Sequence, residues 1–396
     1  MSDLRIRRAN RDDPLVSIVV PSFNQGRFLR QCLRSLVAQT YARVEIIVRD
    51  NLSADETPDV LQEFADRLTV VRERDRGQTD ALRAGFERAR GTVLGWLNAD
   101  DMLMPDAVEA AVAALEGPPR ADVVYGHCAF VDEGGQFLRY FDYIRPFSEE
   151  ELRDYSDFIP QPSTFFRREA YEGVGGLDSR LTYAMDWDLW CRFARANARF
   201  VFLPKILSGA RLHPSAKTAT GGTARLLEIF RVNARHRTRL LPMVPVIYVA
   251  SLLSPWARAT LGPAYSPLRR VWRTQTSHWN PSKTAVNGLM ASGRVVEPAF
   301  AIEIPVYRAI QGVRLSISLG GREGEVSARL EGAPSGIQGS HGGWTVFDWS
   351  LDPTRVRTHL VIDAKIESPR WAETFFRLEL LFVEDGHCSV AARPSR

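Results

Sequence analysis

The sequence predicts an α/β domain whose mostly parallel sheet is flanked by helices, followed by a helical connector and an antiparallel β-sandwich. Three patterns predict this order. Strand-like and helix-like runs alternate from Pro14 to Ala121, an Arg- and Leu-rich segment broken by prolines covers 223–275, and short alternating apolar runs follow Val295. We divide the chain of 396 residues into a polar N-terminal tail (1–13), the α/β domain (14–215), the helical connector (216–290) and the β-rich domain (291–396).

Four short β-branched runs mark the first strands of the α/β domain: VSIVV (16–20), VEIIV (44–48), LTVV (68–71) and VLGWL (93–97). An amphipathic helix over 27–39 follows the first strand. The second helix is predicted to begin at a capping box formed by Ser53 and Glu56, and the third to be capped by Thr79. Because ligands bind at the carboxyl ends of parallel strands, four loops should meet at one edge: 21–24, 50–53, 74–80 and 98–101.

The composition excludes several classes of protein. The net charge is only +4, and the basic clusters at Arg5–Arg11 and Arg235–Arg239 are too short for a nucleic-acid-binding stripe, so we expect no nucleic acid partner. The four cysteines form no CxxC pair, which argues against zinc and redox motifs and fits a reducing compartment. The N-terminal residues lack the apolar core of a secretory signal. We therefore expect a cytoplasmic location.

One apolar stretch, LLPMVPVIYVASLL (240–253), has basic residues on both sides. It is shorter than the roughly 18–20 apolar residues that span a bilayer, and two prolines interrupt it. We favour a buried connector. The alternative is peripheral contact of 240–258 with anionic lipid at the inner face of the cytoplasmic membrane.

Two of the four loops carry acidic side chains of a kind that nucleotide-binding folds use. Asp50 follows the second strand and has the chemistry to accept hydrogen bonds from a ribose or a base, although RDNLS is also good turn chemistry. Asp75, Gln78 and Asp80 surround Gly77 at the start of the third helix, where free N–H groups attract phosphate. The plainer interpretation of this loop is a charged turn with a helix cap.

Adjacent carboxylates end the fourth strand, in NADD (98–101). Mg²⁺ and Mn²⁺ bind through one or two carboxylates together with substrate phosphates, so we assign a metal to Asp100 first and keep Asp101 as a second ligand. The alternative for Asp101 is a cap for the segment that follows. Asp186, in AMDWDLW, has two interpretations as well: a helix N-cap, or a base that takes a proton from an acceptor hydroxyl.

Five blocks together resemble bacterial family-2 glycosyltransferases with the GT-A fold, over about residues 14–215. They are PLVSIVVPSFNQGRFLRQCLRSLVAQTY, VEIIVRDNLSAD, RDRGQTDALRAGFERARGTVLGWLNADDML, IPQPSTFFRREAYEGVGGLD and AMDWDLWCRFA. Each block is weak alone, and their order and spacing make the set specific.

The resemblance implies a role for each matching position. Nucleotide-sugar contacts are implied for Pro21, Ser22, Phe23, Asn24, Asp50, Asp75, Gln78, Asp80, Asn98 and Ala99. It implies metal binding at the D-x-D position through Asp100, with Asp101 and His213 as further candidates, and catalysis by Asp186 as the base. His213 also has a plainer interpretation as a surface loop histidine. Acceptor contacts are implied for Gln161 and Trp187. The cofactor is then Mg²⁺ or Mn²⁺.

Two positions depart from the family pattern. The D-x-D slot begins with Asn98, which leaves the metal one fewer charged neighbour. Many relatives carry Asn-Lys-Gly where this chain has Arg83, Ala84 and Gly85, which leaves the choice of donor open.

The implied reaction is an inverting transfer from a nucleoside-diphosphate sugar, with a UDP-sugar as the expected donor, to a hydroxyl of a glycan or lipid-linked glycan in cell-surface polysaccharide biosynthesis. One rival is a sugar-phosphate nucleotidyltransferase, but its Gly-rich, Arg-containing signature is poorly matched by PSFNQGR. The other is a non-catalytic GT-A-like scaffold with a glycan-binding C-terminal domain. The joint presence of Asp50, Asp100 and Asp186 argues against it.

The role of the β-rich domain stays open between carbohydrate binding, contact with partner enzymes and self-association into a homo-oligomer. Its tryptophans Trp344, Trp349 and Trp371 suit stacking on sugars, but buried core positions are the commoner use in such a fold.

Overall fold

The computed structural model describes residues 13–141, 144–240, 299–318, 325–341, 344–352, 356–367 and 375–382. The strands of the N-terminal domain are β1 (Val16–Ser22), β2 (Val44–Asp50), β3 (Thr69–Arg72), β4 (Val93–Trp96), β5 (Met102–Leu103), β6 (Val123–Val131), β7 (Phe137–Tyr140), β8 (Thr164–Arg167) and β9 (Phe200–Arg211). The helices are α1 (Gly26–Val37), α2 (Thr57–Glu63), α3 (Gln78–Arg88), α4 (Ala107–Glu116), α5 (Glu149–Asp154), α6 (Arg168–Gly173), α7 (Met185–Arg195), α8 (Lys217–Thr220) and α9 (Gly222–His236).

The N-terminal sheet has the strand order β3-β2-β1-β4-β8-β6-β9-β5, and β7 pairs with β6 at the side. The four predicted strands β1 to β4 are parallel to one another, and β8 runs antiparallel between β4 and β6. The register pairs Ser22 with Asp50 and Asp50 with Arg72, so the carboxyl ends of β1, β2 and β3 lie at the same edge. The predicted α/β architecture is therefore confirmed.

Both faces of the sheet are covered, which explains the continuous apolar run of β1. Val16, Ile18 and Val20 belong to the core that includes buried residues of α1 and α4, whereas Val19 belongs to the opposite core with residues of α3 and α7. Successive side chains of a strand point to opposite faces, so a strand buried on both sides has no polar positions to alternate. The run VSIVV thus reflects a central strand.

Two predicted helix starts are wrong. Helix α2 begins at Thr57, whose backbone N–H is bonded to Asp55 Oδ1. Ser53 Oγ instead donates to Asp50 Oδ1 at 2.5 Å. Helix α3 begins at Gln78, so Thr79 lies inside the first turn, and its hydroxyl donates to Leu181 O at 2.6 Å. At α2 the N–H acceptor is Asp55 rather than Ser53, and at α3 the Thr79 hydroxyl bonds a distant carbonyl instead of capping the helix.

The C-terminal region is an antiparallel β-rich domain, as predicted. Its strands are β10 (Ala299–Ser318), β11 (Glu325–Leu330), β12 (Ile337–His341), β13 (Trp344–Ser350), β14 (Val356–Glu367) and β15 (Phe375–Phe382). The first half of β10 pairs with β14 and its second half with β13 and β15, after a register shift between Pro305 and Arg308. Trp349 is buried, which agrees with the core role we favoured. The side chains of Trp344 and Trp371 lie outside the described part.

The β-rich domain contacts the N-terminal domain through β7. Tyr140 Oη donates to Glu303 O at 3.1 Å and accepts from Glu303 N at 3.0 Å. Gln136 Oε1 accepts from Leu380 N at 2.6 Å, and Gln136 Nε2 donates to Leu380 O. These bonds hold β7 to β10 and β15.

Part of the predicted connector is visible as α8 and α9, and α9 packs on α7 of the α/β domain. Residues 241–298 lie outside the described residues, so the buried connector and its alternative, an interfacial segment over 240–258, both stay predictions. Among the described helices, none has the length and apolarity needed to cross a bilayer.

His127, in β6, is fully buried, and neither ring nitrogen has a hydrogen-bond partner in the structure. Burial lowers the pKa of His127 to about 4. The unfolded chain takes up the proton below about pH 6.5, whereas the folded chain resists it, so acidification favours unfolding. We expect stability to fall as the pH drops from about 6.5 to 4, by at most roughly 3 kcal/mol from this group.

Urea unfolding of the wild type and of a His127→Leu variant, from neutral pH to about pH 4, measures this effect. On acidification, the free energy of unfolding of the wild type should fall more than that of the variant. Parallel pH dependences would show that His127 is not the group responsible.

Candidate active site

A cavity of about 700 Å³ opens at the carboxyl ends of β1 and β4. The loops after β1 and β4, the start of α3 and the start of α7 all contribute to its wall. Of the residues that the sequence singles out, the cavity is lined by Pro21, Ser22, Phe23, Asp75, Gln78, Asn98, Asp100, Asp101, Gln161 and Asp186. The parallel topology therefore brings most of the predicted positions together.

Asp100 and His213 form the corner of the site with metal-binding chemistry. His213 Nε2 lies 2.9 Å from Asp100 Oδ2, although the residues are 113 positions apart. Strand β9 runs beside β5 and delivers His213 next to the loop after β4. The other ring nitrogen, Nδ1, lies 2.8 Å from Ser215 Oγ, and Phe28 packs against the ring. His213 is thus held in one orientation by its surroundings.

This donor set fits a divalent cation that is shared with a ligand. No group of three or more His, Cys, Asp or Glu side chains with metal-binding geometry occurs among the described residues. One carboxylate oxygen and one imidazole nitrogen leave most of an octahedral shell to phosphate oxygens and water. The hydrogen bond to Nδ1 is the kind of outer contact that orients a ligating histidine.

Asp101 turns away from this corner. It is buried, its Oδ1 accepts from Arg211 N at 3.1 Å, and its Oδ2 accepts from Asn98 Nδ2 at 3.1 Å. Burial first, and the neighbouring charge of Asp100 second, raise the pKa of Asp101 well above its usual range. The alternative of a helix cap is wrong, because α4 begins at Ala107 after Asp106. In this geometry Asp101 holds the loop behind Asp100.

Asn98 has a structural reason to be an amide. Its Nδ2 donates to Asp101 Oδ2 and, at 3.2 Å, to Gln161 Oε1, while its Oδ1 accepts from Gln78 Nε2 at 2.6 Å. A carboxylate has no N–H to donate and would stand against the carboxylate of Asp101. The departure from the D-x-D pattern is thus part of a hydrogen-bond network.

Asp50 lies behind the cavity wall. It is buried and accepts from Ser53 N, Ser53 Oγ and Arg72 Nε, the last at 2.9 Å. Its neighbour Asn51 lines the cavity instead, and Asn51 Oδ1 accepts from Asp75 N at 3.0 Å. Asp50 therefore ties β2 to β3 beneath the loops that face the ligand space.

Of the other residues predicted to contact the nucleotide, some line the cavity and some do not. Asp75 Oδ1 accepts from Gly77 N at 2.8 Å, and burial raises the pKa of Asp75. Gly77 has a φ of +121°, which a residue with a Cβ rarely adopts.

Asp80 is paired with Arg76 on the outer side, and Asn24 Oδ1 accepts from Ala54 N. Ala99 is fully buried in the core. Asn24, Asp80 and Ala99 do not line the cavity.

Asp186 lies in the first turn of α7 and lines the cavity. The N-cap position belongs to Ala184, so the cap interpretation of Asp186 is wrong. Asp186 Oδ1 accepts from Trp187 N at 2.9 Å, and burial raises the pKa of Asp186. Asp157 lines the same cavity, and burial and the charge of Asp186 raise the pKa of Asp157 well above its usual range.

Helix α9 holds the turn that leads into α7. The Glu228 carboxylate accepts from the backbone N–H groups of Thr182, Tyr183 and Ala184, at 2.9 Å, 2.5 Å and 2.7 Å for the Oε1 atom. These groups belong to the turn that leads into the helix. A charge at a helix N-terminus that also satisfies free N–H groups stabilises the first turn. Glu228 therefore fixes the segment that carries Asp186.

The two predicted acceptor residues differ in position. Gln161 lines the cavity, and its Nε2 donates to Trp96 O at 2.8 Å. Trp187 is buried on the far side of α7, and its Nε1 donates to Leu152 O at 2.8 Å. Trp187 thus packs against the end of α5 and does not line the cavity.

Sequence reasoning missed several lining residues, among them Asp157, Lys217 and Arg225. Asp157 lies four positions before Gln161 in DFIPQ, and Lys217 lies four positions after His213 in HPSAK. Closeness in sequence to a predicted site residue was the signal that could have found both. Arg225 has no such neighbour in the sequence.

The sequence model of Glycosyl transferase family 2 matches residues 17–175. An uncharacterized glycosyltransferase of Rickettsia typhi is 28% identical over 226 residues, which cover 54% of this chain and 69% of that protein. A PGL/p-HBAD biosynthesis glycosyltransferase of Mycobacterium tuberculosis is 32% identical over 180 residues, which cover 44% of this chain and 68% of that protein.

Two solved structures are similar in fold. S. aureus TarS 1–349 in complex with UDP-GlcNAc has a TM-score of 0.47 at 18% identity, covering 56% of this chain and 66% of that one, just under two thirds of its length. The mannosyltransferase PcManGT from Pyrobaculum calidifontis, in complex with GDP-Man and Mn²⁺, has a TM-score of 0.46 at 21% identity, covering 69% and 83%. With TM-scores this low, we assign the family from the sequence relatives.

The matched region contains the loops after β1, β2 and β4, which surround the cavity, together with the parallel strands that bring them together. The mycobacterial relative shares the same region over more than two thirds of its own length. The chain therefore belongs to glycosyl transferase family 2, and it is a transferase enzyme.

Proposed function

We propose that this chain is a metal-dependent inverting glycosyltransferase. It moves a sugar from a nucleoside-diphosphate sugar to a hydroxyl of a glycan or lipid-linked glycan, in cell-surface polysaccharide biosynthesis. The proposal rests on one observation. Asp186 and Asp100 line the same cavity of about 700 Å³, and the carboxylate of Asp100 lies against His213. A base and a metal-binding corner on one wall are the two parts that such a transfer needs.

Asp186 is the proposed base. It takes the proton of the acceptor hydroxyl while that oxygen attacks the anomeric carbon from the face opposite the diphosphate. The backbone N–H of Trp187 fixes the carboxylate, and burial keeps its pKa above the ordinary aspartate value. A base whose pKa lies closer to the working pH accepts a proton more effectively in the transition state.

Asp100 and His213 are the residues that would hold Mg²⁺ or Mn²⁺, with Asp101 behind them as support. The cation supplies Lewis-acid stabilisation of the charge on the leaving diphosphate. Ser215 orients the imidazole of His213, and Asn98 positions the carboxylate of Asp101, so both sides of this corner are fixed by protein contacts.

The nucleotide is assigned to the wall formed by Pro21, Ser22, Phe23, Asp75 and Gln78. Phe23 is 57% exposed, and an aromatic ring at the mouth of a cavity suits stacking on a base. Asp50 and Asp80 would then support the loops of this wall. A UDP-sugar is the donor that we propose to test first.

We assign the acceptor to the part of the cavity lined by Gln161 and Asp186. Trp187 would support this part through its packing on the far side of α7. We further propose a cytoplasmic enzyme, with membrane contact through 240–258 kept as the alternative to a buried connector. For the β-rich domain, which is held to the N-terminal domain by Tyr140 and Gln136, carbohydrate binding, contact with partner enzymes and self-association all stay open.

A donor panel tests the function. The protein is incubated with UDP-, GDP- and dTDP-sugars and Mn²⁺, and the release of nucleoside diphosphate is measured. We expect release from one nucleotide class. A scaffold would release nothing, and a nucleotidyltransferase would instead consume nucleoside triphosphate and sugar phosphate with formation of pyrophosphate.

Glu228→Gln tests how Asp186 is positioned. The amide keeps an acceptor oxygen but loses the charge at the start of α7, which should cost roughly 0.5–2 kcal/mol of stability. We expect kcat to fall by roughly 10-fold, because a less firmly held turn displaces Asp186 from the reacting hydroxyl, and each 1.4 kcal/mol of transition-state stabilisation lost in this way is a factor of 10. Donor affinity should change less than kcat, because the hydrogen bonds of Glu228 go to the turn before Asp186.

Glu169→Gln is the matched control, since Glu169 is an exposed glutamate of α6. The measurements are kcat, donor affinity and the midpoint of thermal unfolding. Equal kcat values in the two variants would remove Glu228 from the positioning role.

A further inference from the structure

Lys217, the first residue of α8, lines the cavity and is half-buried there. Its Nζ donates to Gln78 Oε1 at 2.5 Å and lies 5.7 Å from the centre of the Tyr183 ring. Both partners are neutral. Within the part of the chain that the structure describes, no carboxylate lies within ion-pair distance of this ammonium group.

A cation that is partly withdrawn from water without a counter-ion is in an unfavourable state. Burial lowers the pKa of Lys217 to about 8, and the charges of Asp186 and Glu228 counteract only part of this effect. An anionic ligand in the cavity would supply the missing counter-charge. The chemistry of the group thus points to a negatively charged substrate.

The position of Lys217 identifies which part of the substrate it faces. Lys217 follows His213 by four residues, so both belong to the segment after β9. Through Gln78 it is also linked to Asn98, beside the carboxylates of the loop after β4. The charge of Lys217 also interacts with the charge of Asp186. Lys217 is therefore linked both to the loop that carries Asp100 and to the base, the two groups between which the sugar–diphosphate bond would be placed.

We propose that Lys217 binds the diphosphate of the nucleotide sugar and stabilises the charge that the leaving group gains. This inference rests on the proposed function and adds a residue to it. In the transfer, the bond between the anomeric carbon and the diphosphate oxygen breaks and its electron pair stays on that oxygen. The acceptor oxygen forms the new bond to the anomeric carbon, and its proton goes to Asp186. Lys217 stays protonated throughout and gives up Gln78 for a phosphate oxygen.

Binding experiments test the proposal without turnover. The wild type, Lys217→Met and Lys217→Arg are titrated with UDP, GDP and dTDP, in Mn²⁺ and again in EDTA, and with the nucleoside of the diphosphate that binds. A charge-assisted hydrogen bond to phosphate is worth roughly a 10- to 100-fold change in affinity. We expect Lys217→Met to lose that factor for the diphosphate and nothing for the nucleoside. Lys217→Arg should keep most of the affinity.

Lys205→Met is the matched control, because Lys205 pairs with Asp106 away from the cavity. Equal loss of nucleoside and diphosphate binding in Lys217→Met would mean that Lys217 only holds the segment after β9, and would overturn the inference. So would unchanged diphosphate binding. If no diphosphate binds the wild type under either condition, the proposed function fails together with it.

Discussion

Asp186→Asn should reduce turnover by roughly 10²- to 10⁴-fold, the usual contribution of a positioned base. The amide has nearly the same shape and keeps the contact with the backbone N–H of Trp187, so the protein should fold and bind nucleoside diphosphate almost as before. The loss should therefore appear in kcat and not in donor affinity. Initial rates of nucleotide release at saturating acceptor measure it, with Asp66→Asn, an exposed aspartate outside the cavity, as the control.

The pH profile gives a second readout of the same substitution. Burial raises the pKa of Asp186, so the base is active only above a pKa that exceeds the ordinary aspartate value of about 3.9. The wild-type rate should rise with pH through that value, and the residual rate of Asp186→Asn should lose this limb. A second carboxylate that lines the cavity, Asp157, gives the sharpest test of this assignment. Loss of turnover in Asp157→Asn with a normal rate in Asp186→Asn would move the base to Asp157.

Removal of the metal-binding corner should have an effect of similar size. We expect EDTA to abolish nucleotide release and Mn²⁺ to restore it. Asp100→Asn and His213→Ala should each lower kcat at least roughly 100-fold, since charge stabilisation by a metal is worth several kcal/mol. Asp100→Asn keeps nearly the same shape at the cavity wall, whereas His213→Ala also removes a buried ring that packs on Phe28, so the midpoint of thermal unfolding is measured together with kcat.

Direct binding separates the metal from the reaction. Titration of Mn²⁺ in the presence of UDP, followed by the electron paramagnetic resonance signal of the free ion, should show weaker binding for both variants. Asp106→Asn, on the surface beside Lys205, should bind Mn²⁺ like the wild type. Full activity in chelator, or unchanged Mn²⁺ binding in both Asp100→Asn and His213→Ala, would reject the metal-dependent mechanism.

The order of strands and helices in the first domain was open to prediction from local patterns alone. β-branched runs define β1 to β4, and the parallel arrangement that follows from alternating helices brings the loops after them to one edge. Asp100 and Gln78 were therefore predicted to share a crevice, and they line the same cavity. Helix starts were less predictable, because Ser53 and Thr79 bond to a loop or a distant carbonyl rather than to their own helix.

By itself, then, the sequence determined the α/β class, the β-rich C-terminal region, the family and the edge of the sheet where the cavity opens. Only the tertiary structure decided which side chains at that edge face the cavity. It placed Asp50 behind the cavity wall, bonded Asp101 to the backbone of Arg211, brought His213 against Asp100, and placed Glu228 on the turn before Asp186. The physical reason is distance along the chain. Strand and helix patterns repeat within a few residues, whereas these contacts join residues up to 113 positions apart and follow from packing alone.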